Sequence, residues 1–245
     1  MAKVFQVDSG KTLTTNLQYY AKFDTDANDF SDNNRTGTEF GTPTYGTPAK
    51  INNAIGLDST KSARLNGIPT LNDNSSWSIS LWLYLNSYPS TDYTRFASIQ
   101  GPTTGQFSTA FCMRTSGKIY VQINKTNQVS YQFTSSATLS LSTWYHIVIL
   151  CDGTQAKLYI NNSFDSSATK TISGTANSNG SIGINRDEYE AQSQMNCRID
   201  ECGFWNKVLT TQAKGLTSEQ KAKIKARAER MLGNKERIKR SLRKT

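Results

Sequence analysis

With 245 residues, 36% of them hydrophobic, the chain can bury a substantial core, either as one large β domain or as a domain with an appendage. Its net charge of +9 is not a property of the whole, because residues 213–245 hold twelve Lys/Arg and three Asp/Glu, leaving residues 1–212 balanced. No apolar run approaches a membrane span and MAKVFQVDSGKTL lacks the apolar core of a signal peptide, so the chain is expected to be made and kept in the cytosol, or to leave it without the usual export signal.

Residues 1–16 are polar and read as an N-terminal arm or edge segment. Leu17 to Phe23 alternates as a strand, and DTDANDFSDNNRTGT follows as a long loop dense in Asp, Asn and Gly. Asx turns account for such a loop, since the ordered ligands and terminal Glu of a calcium loop are missing. Short strands are then expected in part of 45–57 and over 62–66, 77–85, 95–100, 107–114, 118–124 and 129–134, each bounded by Gly, Pro, Asn or Ser. No helical period intervenes before residue 210. Within WSISLWLYL, Trp77, Ile79, Leu81, Leu83 and Leu85 share one face, and Ser78, Ser80, Trp82 and Tyr84 the other. That second face is partly apolar and is a candidate floor for something bound.

From Trp144 to Asn162 the chain reads as a hairpin. The continuous run Ile147 to Leu150 needs cover on both faces. Asp152-Gly153-Thr154 supplies a turn, because glycine accepts the positive φ required. The run after the turn alternates Ala156, Leu158 and Ile160 with Lys157, Tyr159 and Asn161, so it can face water on one side. Residues 163–180, rich in Ser, Thr, Gly and Asn, are expected to form a surface connection. Strands over 181–185 and 196–205 complete the set. Many short strands at this spacing predict an all-β antiparallel sandwich or barrel. The four cysteines, Cys112, Cys151, Cys197 and Cys202, lack the paired spacing of a zinc site and sit in apolar settings, so buried free thiols are expected.

In order along the chain, LQYYAKFDTDANDFSDNN, Trp77-Ser-Ile-Ser-Leu-Trp82, Trp144-Tyr-His146, Asp152-Gly153, Leu158-Tyr-Ile-Asn-Asn162, Ser181-Ile-Gly183 and Arg198-Ile-Asp-Glu-Cys-Gly-Phe-Trp205 resemble laminin G-like and pentraxin-like modules. These belong to the concanavalin A-like jelly rolls and occur on bacteriophage and bacterial surface proteins. The resemblance covers residues 17–212. It implies a two-sheet antiparallel jelly-roll sandwich whose usual work is non-catalytic binding of glycans or proteins.

Pentraxin-like members place calcium ligands just before the Ile-Asp strand, where this chain has Asp187, Glu188, Glu190 and Gln192. The other half of such a site offers only Gln100 and Gln106, so calcium is the one cofactor to consider, held by Asp187, Glu188 and Glu190 in a half-built site. His146, the single histidine, reads as a hydrogen-bonded strand residue, with no nucleophile or orienting acid placed by the sequence. Glycoside hydrolases share the sandwich, but the Glu-x-Asp-x-x-Glu type strand of that branch is absent. Glu188 and Glu190 share a face if extended, whereas Asp200 and Glu201, adjacent on a strand, are expected on opposite faces. Trp82, Tyr84, Tyr88, Tyr93, Tyr131 and Tyr189 are either stacking surfaces for sugar rings or core, with Trp82, Tyr84 and Tyr189 the ligand-binding candidates.

After residue 212 the reading changes to helix. Thr210 and Thr217 look like N-caps, the second with Gln220 in a capping box, and Gly233-Asn234 breaks the segment into two short basic helices. Its apolar stripe is too narrow for membrane insertion. Docking on an acidic protein surface through Lys221, Lys225, Arg227, Arg230, Arg237, Lys239 and Arg240 is the favoured role, with a solvated face or non-specific nucleic-acid contact as alternatives. The three parts are thus an arm (1–16), a jelly roll (17–212) and a basic tail (213–245). A lectin-like sandwich with no export signal is reconciled by assembly in a host cytoplasm. The expectation is a bacteriophage virion decoration protein, present in multiple copies or as a homo-oligomer, that recognises surfaces or cell-surface glycans. A secreted carbohydrate-binding module is the alternative, and a glycoside hydrolase stands third.

Overall fold

The computed structural model describes residues 14–209 apart from 73, 101–107, 126–127, 172–177, 179 and 187–194. All of these lie in the first of two units into which the chain divides, residues 1–211. Among the described residues there are strands and no helix.

Fifteen strands follow in chain order: β1 (Leu17–Ala21), β2 (Gly37–Phe40), β3 (Thr44–Gly46), β4 (Ala54–Leu57), β5 (Ser62–Asn66), β6 (Trp77–Leu85), β7 (Thr94–Ile99), β8 (Ser108–Met113), β9 (Lys118–Lys125), β10 (Gln128–Thr138), β11 (Trp144–Cys151), β12 (Gln155–Ile160), β13 (Ser163–Thr169), β14 (Ser181–Ile184) and β15 (Cys197–Trp205). They form two antiparallel sheets. The first runs β13-β12-β11-β6-β15-β4-β3, with β1 also on β15, and the second runs β10-β9-β8-β7-β14-β5-β2. Strand β15 joins β6 along one edge, and its other edge is shared by β4 at Cys197–Ile199 and β1 at Cys202–Trp205. The result is the expected jelly-roll sandwich.

Alternation builds the core. Trp77, Ile79, Leu81, Leu83 and Leu85 of β6 all turn inward, as do Ile147, Ile149 and Cys151 of β11, to meet Ala97, Ile99, Phe111, Val121 and Ile182 of the other sheet. The Trp77 and Phe111 rings meet across the two layers with centroids 6.1 Å apart. Val148, on the opposite face of β11, is covered by Trp205 and Leu209 with Leu17 and Tyr159 beside them. This answers the expectation that the run 147–150 is covered twice.

The β11–β12 hairpin forms as expected. Asp152 Oδ1 accepts hydrogen bonds from the backbone N–H groups of Thr154 and Gln155 and from the Thr154 hydroxyl. Gly153 takes φ 84°, and a Cβ there would stand 2.7 Å from the Asn74 carbonyl oxygen. All four cysteines are buried and free. In the Asx-rich loop, Asp29 is buried and accepts from the backbone of Tyr20, Ser31 and Arg35, so its carboxylate organises the loop.

Some expectations fail. Residues 163–169 belong to an edge strand, β13, paired with β12, and 37–40 form β2, paired with β5. Both carry mixed, solvent-facing patterns, so backbone pairing, not side-chain alternation, defines them. Tyr131, one of the aromatic residues considered for stacking, is buried in the core.

Candidate functional site

The outward residues of the first sheet form rows across its central strands. Trp82 stands opposite His146 of β11 on one side and Asp200 of β15 on the other, and Ser80 stands between Val148 and Gly203. Above these rows lies a cavity of about 1040 Å³. Trp82, Trp144, Trp205, Tyr20 and Phe30 supply its aromatic wall, and Ser80, His146, Asn161 and Asn162 supply its main polar groups. Lys50, Asp32 and Glu201 are its charged members.

The β15 edge of the cavity is shaped by a bulge. Register with β6 passes from Asp200↔Trp82 to Gly203↔Ser80, so three β15 steps oppose two on β6. Glu201 takes φ 52° there. Asp200 and Glu201 therefore do not point to opposite sides: Asp200 lies opposite outward-facing Trp82, and Glu201 lines the cavity. Gly203 makes room for the Trp205 side chain, because a Cβ at that position would stand 2.3 Å from its ring. The indole thus folds back over the backbone of its own strand.

Asp200 is a tether. It is buried, and its Oδ2 accepts from the backbone N–H groups of Lys50 (2.8 Å) and Ile51 (2.9 Å). Burial pushes its carboxyl above the usual range, while those donors pull the other way. Holding the 50–51 backbone in place sets the Lys50 ammonium 4.1 Å over the Trp82 ring centroid, a cation–π contact. On the other side the His146 ring lies 4.9 Å from the same indole. Trp82 enters the cavity wall with its ring engaged by both neighbours.

His146 is linked at both nitrogens, with Nε2 2.8 Å from Ser80 Oγ and Nδ1 3.3 Å from Asn162 Oδ1. Since Asn162 Oδ1 can only accept, Nδ1 carries the proton, and Ser80 donates to Nε2. Burial, reinforced by the Lys50 charge and opposed by the Asn162 hydrogen bond, holds His146 below its ordinary 6.5. The order Ser–His–Asn is that of a nucleophile, a base and an orienter, which sequence reading did not place. An amide cannot stabilise an imidazolium as a carboxylate does, and acyl transfer further needs donors aimed at the developing oxyanion. The described cation of the cavity, Lys50, lies over Trp82 instead.

Of the ligand-binding candidates, Trp82 lines the cavity, while Tyr84 lies further along β6 and pairs with Trp144 at 5.3 Å. Tyr189, the calcium candidates Asp187, Glu188 and Glu190, and the docking residues Lys221, Lys225, Arg227, Arg230, Arg237, Lys239 and Arg240 lie outside the described residues. Among the described residues no three His, Cys, Asp or Glu side chains gather closely enough to hold a metal ion. Gln100 is buried and accepts from the Ser181 hydroxyl. Sequence reading missed Lys50, Trp205 and the turn of Glu201 into the cavity. One signal was available for the last, since a glycine inside a strand pattern, as in Asp-Glu-Cys-Gly, marks a bulge.

The family model for the Concanavalin A-like lectin/glucanases superfamily matches residues 57–213. The chain belongs to that superfamily. No curated protein is detectably similar to it in sequence. Among solved structures, this superfamily member resembles domain 4 of AbnA, an extracellular arabinanase from Geobacillus stearothermophilus determined with arabinotriose, at TM-score 0.61 and 20% identity over 80% of this chain and 94% of that one. It also resembles the binding domain of Paraclostridial Mosquitocidal Protein 1 (TM-score 0.63, 16% identity, 82% of this chain and 51% of that one). The receptor binding domain of a botulinum neurotoxin C/D mosaic is similar to the same degree (TM-score 0.63, 18% identity, 81% and 50%). The chain spans about half of each toxin domain, and at these identities the likeness is one of fold.

Proposed function

We propose that this protein is a non-catalytic, lectin-like module that binds a glycan in the cavity over β6, β11 and β15. The observation carrying this reading is the cavity's make-up. Aromatic side chains form its wall, a few amide and hydroxyl groups are held at fixed positions, and two half-exposed large apolar residues, Phe30 and Ile51, stand in its lining. Sugars present apolar ring faces and a hydroxyl fringe, which this combination suits. The AbnA domain, solved in complex with arabinotriose, supports the class of ligand. Against hydrolysis, Asp200 is fully buried with its Oδ2 held by two backbone donors, which sets it apart from Glu201 in the cavity lining. Binding to a glycan array, abolished by Ile51→Asp with an unchanged circular dichroism spectrum, is the expected result; array binding indifferent to I51D overturns the assignment to this cavity.

A second reading places the module on a bacteriophage particle, fastened by the basic tail. It rests on the segregation of the whole charge excess into residues 213–245. Deleting 214–245 should abolish incorporation into particles while leaving the sandwich folded.

A further inference from the structure

Within the cavity one acidic side chain stands without a hydrogen bond or ion pair among the described residues. Glu201 sits at φ 52°, a left-handed conformation that disfavours any residue with a Cβ. Burial raises its carboxyl above the usual range, with no other cause contributing. Its side chain makes no hydrogen bond or ion pair with any described residue. Its neighbour Asp200, equally part of the bulge, is held through Oδ2 by two backbone N–H groups. The bulge therefore turns a partly desolvated acid, unpartnered among the described residues, into the cavity.

The rest of the lining indicates what the acid awaits. Among the described lining residues Asp32 and Glu201 are acidic and Lys50 is basic, its ammonium lying over Trp82. A second lysine, Lys22, places its ammonium 4.3 Å from the centroid of the Phe30 ring, another lining residue. Both lysines thus lie over ring faces, and among the described residues neither pairs with Glu201. A charge-assisted hydrogen bond to an ammonium offsets the desolvation of a carboxylate better than a neutral hydroxyl does.

We propose that Glu201 is the specificity-determining residue of this cavity and that it takes the free amino group of an amino sugar. The inference rests on the glycan-binding reading above and adds the class of sugar. The amine donates to the Glu201 carboxylate, while Asn161, Asn162 and Ser163 in the lining meet the surrounding hydroxyls.

Calorimetry with the β-1,4 trimer of glucosamine and with its fully N-acetylated counterpart, at pH 6 and low salt, tests this. Wild type is expected to bind the free amine trimer at least tenfold more tightly than the acetylated one. Glu201→Gln should erase that preference, with a thermal midpoint at or above wild type. Equal affinities in wild type, binding of neither trimer, or a preference that survives E201Q overturns the inference. The parent reading is judged separately, since array binding of neutral glycans that is lost in I51D upholds it even then.

Discussion

The two faces of β6 are built on different principles. Inward, Trp77, Ile79, Leu81, Leu83 and Leu85 contribute to one continuous core, where many neighbours share each contact and volume is what counts. Outward, each residue has a named partner: Ser78 with Lys207 and Leu209, Ser80 with His146, Trp82 with Lys50 and His146, and Tyr84 with Trp144. The inner face holds the sandwich together, and the outer face positions a cavity. Damage should therefore be graded by size inside and by partner outside.

The largest effect is expected inside. Trp77 is fully buried and spans the two layers, so Trp77→Ala should cost about 3–5 kcal/mol in denaturant unfolding. A loss below about 1 kcal/mol would show that the layers do not meet there. Outside, Ser78→Ala strips the Lys207 carbonyl of its donor and the Leu209 N–H of its acceptor, both at 2.8 Å. The expected cost is roughly 1–3 kcal/mol, with near-ultraviolet changes from Trp205, which packs on Leu209.

Glu201→Gly reverses the sign. It relieves the positive φ and removes a partly desolvated carboxyl, so stability at neutral pH should rise by on the order of 1 kcal/mol, measured as a shift in urea midpoint at constant slope. Destabilisation would mean that Glu201 supports the bulge and does not merely tolerate it.

The smallest effect is a pH dependence. Because the folded state holds His146 below 6.5, the unfolded chain binds the extra proton first. The stability due to the neutral imidazole is full above that value and is lost as pH falls through it toward the folded pKa. Asp200 and Glu201, raised by burial from 3.8 and 4.5, have the opposite sign, gaining stability as pH falls between their folded and ordinary values. Comparing wild type with His146→Gln between about pH 7.5 and 5 isolates the histidine. The variant should lose less stability on acidification, and parallel curves would place His146 in an unperturbed environment.

Periodicity by itself determined the all-β antiparallel class, the inward set of β6 and the hairpin at Asp152-Gly153, because alternation and turn chemistry are local and are written every two residues; the choice of a two-sheet sandwich over a barrel came with the family resemblance. The edge strands β2 and β13 escaped it because an exposed edge has no apolar face to announce it. The cavity was half legible. Trp82 and His146 were visible as outward residues of neighbouring strands, but their meeting depends on the β6–β11 register, which relates residues 64 positions apart. Lys50 arrives over Trp82 only because Asp200, 150 residues away in sequence, holds its backbone. Strict alternation put Asp200 and Glu201 on opposite faces, and one extra residue in β15 removed that separation. Tertiary pairing decided that site, since a register shift between distant strands costs nothing that a local pattern records and yet turns a side chain from one face of a sheet to the other.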